Sequence, residues 1–188
     1  MLPRFFTNGK LWLLLLAFDE DLAETARLKA CPLCQAQLHQ ANYQRKPRGG
    51  PPELDDPHTL RFSFCCYLCR KRLTPPSVRF FGRTVYFGII FLLVSAMLGG
   101  ASPERRRKLQ DICGADARTL GRWKTWWETA FAQSPFWKDL SARLAFIRSS
   151  VVPLPRMLIR SLKIQTLLES LVGVLKLLLP MTSGKGFG

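Results

Sequence analysis

The sequence of 188 residues is poor in acidic side chains, with 13 Asp and Glu against 28 Lys and Arg. Its 13 Gly and 13 Pro are too few for a low-complexity chain. A hydrophobic content of 47% is too high for an intrinsically disordered one and suffices for one core or two small ones. The formal net charge of +15 predicts an anionic partner, for which nucleic acid and an anionic membrane surface are the usual candidates.

The acidic residues are missing mainly from the later parts of the chain. Residues 1–60 hold 7 basic and 7 acidic side chains, whereas residues 61–128 hold 13 and 4, and residues 129–188 hold 8 and 2. A uniformly solubilising surface would not show this step. The distribution therefore indicates that the basic excess serves a binding surface.

The residues needed for common nucleic-acid chemistries are also missing. A metal-dependent transposase needs three carboxylates on an α/β fold, but the acidic residues cluster at 19–24 and 53–56, and no βαβ pattern surrounds the others. A tyrosine recombinase needs a late tyrosine, and the last one is Tyr86. The two histidines, His39 and His58, fall in hairpin or loop positions. We therefore expect no enzymatic activity.

The first apolar run, Leu11–Phe18, resembles a secretory signal because Arg4 and Lys10 flank its start. Three acidic residues at positions 19–21 occupy the place where a small-residue cleavage site belongs, which disfavours that interpretation. The alternative is a helix that packs on the rest of the fold. Its predicted apolar face consists of Leu11, Leu14, Leu15 and Phe18.

Two later apolar runs fall short of the roughly 20 apolar residues that a bilayer requires. The run Thr84–Leu98 is followed by two glycines, which favours a buried helix with a glycine cap. The run Ile164–Leu179 is interrupted by Glu169 and Lys176, and predicts an amphipathic helix that needs a partner surface. That surface could belong to a second copy or to a partner protein. A membrane-associated protein with bilayer segments at 84–98 and 164–179 is the alternative.

Four of the six cysteines form two Cys-x-x-Cys units with 31 residues between them. Each unit brings two thiolates to one side of a turn, and two such turns complete a tetrahedral S4 site that suits Zn²⁺. The predicted zinc ligands are Cys31, Cys34, Cys66 and Cys69. Cys65 is an alternative to Cys66, and His39 is a possible substitute ligand. Disulfides and unliganded thiols are the other interpretations of these residues. Cys113 is expected to be buried.

The segment between the two units favours a zinc ribbon. Phe62–Phe64 alternates like a short strand, and Leu38–Tyr43 can be its pairing partner. Between them, Arg45–Pro57 has the Pro, Gly and charge content of a loop. So small a β unit cannot build its own core. Metal binding would then supply much of its folding free energy, on the order of 10 kcal/mol.

A second motif begins at Ser102, a good N-cap followed by Pro103 at the first helical position. The predicted helix stops at Gly114, and Asp116 can cap a second helix that runs to about Phe131. Two helices joined by a short turn with glycine are typical of a helix-turn-helix.

The second helix separates into two faces at 100° per residue. Leu120, Trp123 and Trp127 cluster on one side as a core stripe, and an Arg and hydroxyl face lies opposite. A recognition helix in the major groove of DNA needs this division. The predicted DNA-contact residues on the two helices are Arg105, Arg106, Arg107, Lys108, Arg118, Thr119, Arg122 and Thr125.

The stretch Gly114–Trp123 resembles the turn and recognition helix of transposase-type helix-turn-helix domains. A Cys-Pro-x-Cys knuckle, a Cys-Cys pair, and the segments Thr74–Phe80 and Gly82–Gly88 resemble small bacterial insertion-sequence-associated proteins. These proteins carry a zinc ribbon followed by a helix-turn-helix. The resemblance covers about residues 31–137. It implies DNA binding and an association with mobile elements.

The predicted fold is mainly α with a small β zinc ribbon, that is, a zinc ribbon plus a helix-turn-helix bundle. It divides into an N-terminal helical segment (1–30), a ribbon unit (31–76), a helix-turn-helix domain (77–137) and a C-terminal helical extension (138–188). We expect a non-catalytic protein that binds double-stranded DNA in the cytoplasm, associated with the nucleoid, as an accessory or truncated mobile-element product. A zinc-stabilised protein–protein adaptor is a further alternative.

Overall fold

The computed structural model of the chain describes residues 8–54, 56–82, 84–143, 154–162 and 166–182. These residues are mainly helical with a small antiparallel sheet, which confirms that part of the predicted fold. The chain forms two compact units. The first comprises Met1–Gly88 and Leu175–Gly188, and the second comprises Ile89–Val174.

The α-helices in the described residues are α1 Gly9–Leu28, α2 Asp56–Thr59, α3 Gly88–Leu98, α4 Pro103–Cys113, α5 Ala117–Trp126, α6 Pro135–Arg143, α7 Leu154–Ser161 and α8 Leu167–Leu177. A π-helical turn at Trp127–Phe131 continues α5, and a 3-10 turn at Leu179–Met181 follows α8. The strands are β1 Leu38–Gln40, β2 Tyr43–Gln44, β3 Leu60–Arg61, β4 Phe64–Cys66 and β5 Arg72–Leu73.

The N-terminal helix α1 is one continuous helix, capped by the side chain of Asn8, which accepts a hydrogen bond from the N–H of Lys10. The predicted apolar face is right for Leu11 and Leu15, which are fully buried, and wrong for Leu14, which is exposed. The buried row runs at intervals of four residues, and Leu14 lies off it. Its members are Leu11, Leu15, Asp19 and Ala23.

The strands form a three-stranded antiparallel sheet in the order β1-β4-β5 and a separate pair, β2-β3. Strand β1 pairs with β4 in a register that sets Leu38 opposite Cys66 and Gln40 opposite Phe64. This confirms the predicted pairing of the segment after the first knuckle with the segment before the second. Strand β4 begins at Phe64 rather than at the predicted Phe62, because Phe62 and Ser63 connect β4 to β3.

A buried ion pair between Asp19 and Arg79 holds the first unit together. The Arg79 Nε lies 2.8 Å from the Asp19 Oδ2, and both side chains are fully buried. The Asp19 carboxylate also accepts hydrogen bonds from the Ser77 hydroxyl and from the N–H of Val78. The guanidinium of Arg79 donates to the carbonyl oxygens of Pro57, His58 and Leu60. The network therefore links α1 to α2, to β3 and to the segment at residues 77–79.

Helix α3 confirms the prediction of a buried helix ended by glycines. Its side chains from Ile89 to Val94 are buried, and Gly100 follows with a left-handed φ of 69°. The helix begins at Gly88, where a Cβ atom would lie 2.9 Å from the carbonyl oxygen of Val78, so glycine is required. Among the described residues, no helix is both long enough and apolar enough to cross a membrane.

An aromatic cluster forms much of the core of the second unit. The ring of Phe91 lies 5.4 Å from that of Trp123 and 5.6 Å from that of Trp127, and Trp127 lies 4.7 Å from Phe131. Leu120, Trp123 and Trp127 are buried, which confirms the predicted core stripe. Such ring pairs add directional contacts to the burial of apolar area.

The C-terminal helix α8 begins at Leu167, and residues 163–165, including Ile164 of the predicted run, lie outside the described residues. Most of its apolar side chains are buried within the chain itself, while Leu167 is exposed. The buried ones are Leu171, Val172, Val174, Leu175 and, just after the helix, Leu178.

Candidate metal centre and basic helix pair

The two Cys-x-x-Cys units fold into the same turn. The N–H of Cys31 donates to the carbonyl oxygen of Ala36 at 2.9 Å, and the N–H of Cys66 donates to that of Lys71 at 3.0 Å, five residues ahead in both cases. The residue after each second cysteine, Gln35 or Arg70, has a left-handed φ of about 60°. This left-handed conformation is unfavourable for non-glycine residues. Both turns nevertheless adopt it, although their sequences differ.

The four thiols of these turns come together at one point. Their sulfur atoms, from Cys31, Cys34, Cys66 and Cys69, all lie within 4.8 Å of one another. The Cys31 and Cys69 sulfurs are 3.6 Å apart, and those of Cys34 and Cys66 are 3.3 Å apart. Four sulfurs around Zn²⁺ at 2.3 Å would be separated by about 3.8 Å. The thiols therefore can hold a metal ion, and none of the four is joined in a disulfide.

Hydrogen bonds distribute the protons unevenly within the cluster. Burial raises the pKa of Cys66, but the N–H of Cys69, which donates to its sulfur at 3.4 Å, and neighbouring thiols outweigh burial and lower this pKa to about 6. The N–H of Lys71 lowers the pKa of Cys69. Burial and the hydrogen bonds from its own thiol to its neighbours outweigh that effect and raise the pKa of Cys69 to about 12. Of these two thiols, Cys66 is therefore the one that more readily becomes a thiolate ligand.

The cluster lies in a small apolar core that restricts the access of water. Cys31 and Cys66 are buried, and Cys34 and Cys69 are partly exposed. The buried apolar neighbours are Ala23, Leu38 and Phe64. Four protein sulfurs around one point leave no open coordination position, which is the arrangement of structural rather than catalytic metal sites.

The remaining candidate ligands lie outside the cluster. Cys65 directs its thiol to the carbonyl oxygens of Cys66 and Arg70, at 3.8 and 3.6 Å, so the four-sulfur group includes Cys66 and not Cys65. His39 is exposed, and its ring lies 5.8 Å from that of Tyr67. Cys113 is buried as predicted, and burial raises its pKa.

The second candidate region is the pair of consecutive helices α4 and α5. The Ser102 side chain caps α4, and the helix ends at Gly114 with a left-handed φ of 62°. The Asp116 carboxylate caps α5 by accepting from the N–H of Thr119 at 2.6 Å, and hydrogen bonds from Thr119 hold the pKa of Asp116 below its usual value. All three predicted boundaries are confirmed. Two helices are thus joined through the short segment 114–116.

Most of the predicted DNA-contact residues are exposed on this helix pair. On α4 these are Arg105, Arg106, Arg107 and Lys108, and on α5 they are Arg118, Arg122 and Thr125. Thr119 differs because it is only 8% exposed and its hydroxyl accepts a hydrogen bond from the Arg122 Nη2 at 3.1 Å. Thr119 therefore orients Arg122 rather than facing solvent.

The buried ion pair of Asp19 and Arg79 was not predicted from the sequence. A usable signal was present, because Asp19 continues the row of Leu11, Leu15 and Ala23 at intervals of four residues. A carboxylate on the buried row of a helix requires a buried partner. The sequence did not identify which of the 28 basic residues would supply it.

Comparison of the chain with protein-family models, with curated proteins and with solved structures found no match.

Proposed function

We propose that this chain is a non-catalytic protein that binds one zinc ion at its four clustered cysteines and binds duplex DNA through α4 and α5. The resemblance of residues 31–137 to insertion-sequence-associated proteins supports both parts, since those proteins carry a zinc ribbon and a helix-turn-helix. We further propose that the chain, like those proteins, is associated with a mobile element and is an accessory or truncated product of it.

The choice of zinc follows from the donor set. Four thiolates in a closed tetrahedral arrangement suit Zn²⁺, which has no geometric preference of its own and no redox chemistry. Hard cations such as Mg²⁺ and Ca²⁺ prefer oxygen ligands, which the cluster does not offer. The role of the ion is to hold the two knuckles together, because so small a core supplies little folding free energy.

The observation that carries DNA binding is the division of α5 into two faces. Arg118 and Arg122 are exposed one helical turn apart, whereas Leu120 and Trp123 are buried in the core of the second unit. Arginine presents paired N–H donors that fit guanine edges and phosphate oxygens. An α-helix with this exposed face matches the dimensions of the major groove.

The neighbouring helix supplies a basic surface. Arg105, Arg106 and Arg107 are consecutive and exposed, and among the described residues none of them forms a salt bridge. Lys108 pairs with Glu104 at 2.8 Å. Solvated arginines of this kind suit phosphate contacts, which position a protein on DNA without reading its sequence.

A groove between the helices admits close approach of a partner. It has a volume of about 130 Å³, and Arg106, Gln110 and Lys124 contribute its polar groups. Gly121 also lines it, and a Cβ atom at this position would meet no atom within 4 Å. Internal packing therefore does not require this glycine, while an approaching sugar–phosphate backbone would benefit from its small size.

The test is a fluorescence-anisotropy titration of the zinc-loaded protein with a labelled duplex at several salt concentrations. We expect log–log salt dependence with a slope of roughly −0.9 per phosphate neutralised. The double variant Arg118→Ala/Arg122→Ala should weaken binding at least about tenfold and flatten this slope.

The matched control is the double variant Lys138→Ala/Arg143→Ala, which removes two exposed charges from α6 in the same unit. We expect this control to bind almost as the parent protein does. Equal losses in the two double variants would show that only net charge matters. That result, or binding that does not respond to salt, would overturn the proposal.

A further inference from the structure

The three-stranded sheet of the first unit has two different faces. Its register places His39, Cys65 and Arg72 in one row across β1, β4 and β5. Residues paired in this way project to the same side of a sheet. The neighbouring positions Leu38 and Cys66 project to the other side and belong to the buried core around the cysteine cluster. The row that begins at His39 therefore lies on the outer face.

Two tyrosines flank this outer row and expose their rings. Tyr67 is 63% exposed, and its ring lies 5.8 Å from that of His39. Tyr43 is 38% exposed, and the guanidinium carbon of Arg72 lies 5.5 Å from its ring centre. Exposed tyrosine rings offer flat faces on which other aromatic groups can stack. We name His39, Tyr43, Tyr67 and Arg72 the ribbon face.

The charged side chains on the strands and on the second knuckle are all basic. Arg70, Lys71 and Arg72 are consecutive and exposed. No Asp or Glu occurs at residues 31–52 or at residues 57–103, which include all five strands. A partner for this surface must therefore be anionic and must also offer flat groups for the rings.

We infer that the ribbon face binds single-stranded nucleic acid. Unpaired bases stack on tyrosine rings, and the phosphates between them are neutralised by arginine and lysine, which is the usual chemistry of such sites. A duplex keeps its bases stacked on one another and so cannot use the rings. Acidic peptides would satisfy the charges but would bring no bases to stack on the exposed rings of Tyr43 and Tyr67. The inference concerns a surface separate from α4 and α5, and it does not depend on duplex binding.

The test uses the full-length zinc-loaded protein and a fluorescein-labelled oligothymidylate of about 12 nucleotides. Tyr67→Ala should weaken binding about tenfold, because loss of one stacking platform has an effect of this size. Tyr67→Phe keeps the ring and should bind as the parent does. An oligouridylate of the same length distinguishes RNA from DNA as the strand bound.

Leu68→Ala is the matched control, because Leu68 lies next to Tyr67 on the same knuckle and is 66% exposed but has no ring. Equal effects of Tyr67→Ala and Leu68→Ala would overturn the inference. So would preference for a duplex of the same length over the single strand in the Arg118→Ala/Arg122→Ala variant, which lacks the proposed duplex contacts.

The Arg118→Ala/Arg122→Ala background separates this inference from the duplex proposal. In that background we expect duplex binding to fall, while oligothymidylate binding and its dependence on Tyr67 remain. A photocrosslink from a 5-bromodeoxyuridine oligonucleotide provides a second readout. The crosslinked peptides should contain Tyr43 or Tyr67, and crosslinks confined to α4 and α5 would contradict the inference.

Discussion

The sulfur atoms of Cys34 and Cys66 lie 3.3 Å apart, although the two cysteines are 32 positions apart in the chain. The other close pair, Cys31 and Cys69, also joins one thiol from each knuckle. These two close sulfur–sulfur contacts therefore run between the two turns. A metal ion bound here would close a loop of about 30 residues, and its binding free energy would offset the entropy cost of closing that loop.

Adjacent cysteines give a sharp test of the ligand assignment. Cys66→Ser should abolish stoichiometric zinc binding, because it removes a buried sulfur from the cluster. Cys65→Ser should bind zinc as the parent does, since its thiol is directed to backbone carbonyl oxygens. Titration of zinc against a chromophoric chelator measures both. Loss of zinc in the Cys65 variant together with retention in the Cys66 variant would reverse the assignment.

Zinc affinity should fall as the pH decreases, because thiols must lose their protons to bind the ion. Cys69, with its pKa raised to about 12, is protonated at neutral pH and must release its proton when it binds zinc. Cys66, with its pKa lowered to about 6, competes with protons only below that pH. The apparent affinity should therefore fall about tenfold per pH unit for each proton displaced, and more steeply below pH 6. Chelator competition across this range measures it, and a constant affinity would contradict the thiolate site.

Local chemistry explains which features were predictable from the sequence. The caps at Ser102 and Asp116 and the spacing of the cysteines act within a few residues, so the sequence displays them directly. The contact of Asp19 with Arg79 spans 60 residues and depends on tertiary packing. The outer face of the sheet was also missed, because the strands are too short for alternation to identify it. Only the register brings His39, Cys65 and Arg72 into one row.

Removal of the buried carboxylate should destabilise the first unit strongly. Asp19→Ala leaves the guanidinium of Arg79 buried without its anionic partner. Loss of one partner of a buried pair lowers the free energy of unfolding by about 3–5 kcal/mol. Urea denaturation followed by far-UV circular dichroism measures the change.

Glu24→Ala is the matched control for that variant. Glu24 lies on the same helix and pairs with Arg27, but both side chains are about half exposed. Exposed pairs contribute little to stability, so we expect almost no shift of the denaturation midpoint. Similar shifts for the two variants would show that the Asp19 network does not stabilise the fold.

Two substitutions at Gly121 test the stability of α5 and its proposed DNA contact separately. Gly121→Ala should raise the free energy of unfolding by up to about 1 kcal/mol, because glycine is a poor helix former and the added Cβ meets open space. Gly121→Leu should keep the fold and weaken duplex binding, because its side chain would fill the groove that Arg106 and Lys124 line. Thermal unfolding and anisotropy measure the two effects. Unchanged duplex affinity of the leucine variant would place the DNA on another surface.

The most direct measurement is the metal content of the protein, by elemental analysis after purification without added zinc. The four-sulfur cluster predicts one zinc ion per chain, lost together with the fold of the ribbon on strong chelation. Chains that contain no zinc, and whose knuckle thiols react freely while the ribbon stays folded, would contradict the account.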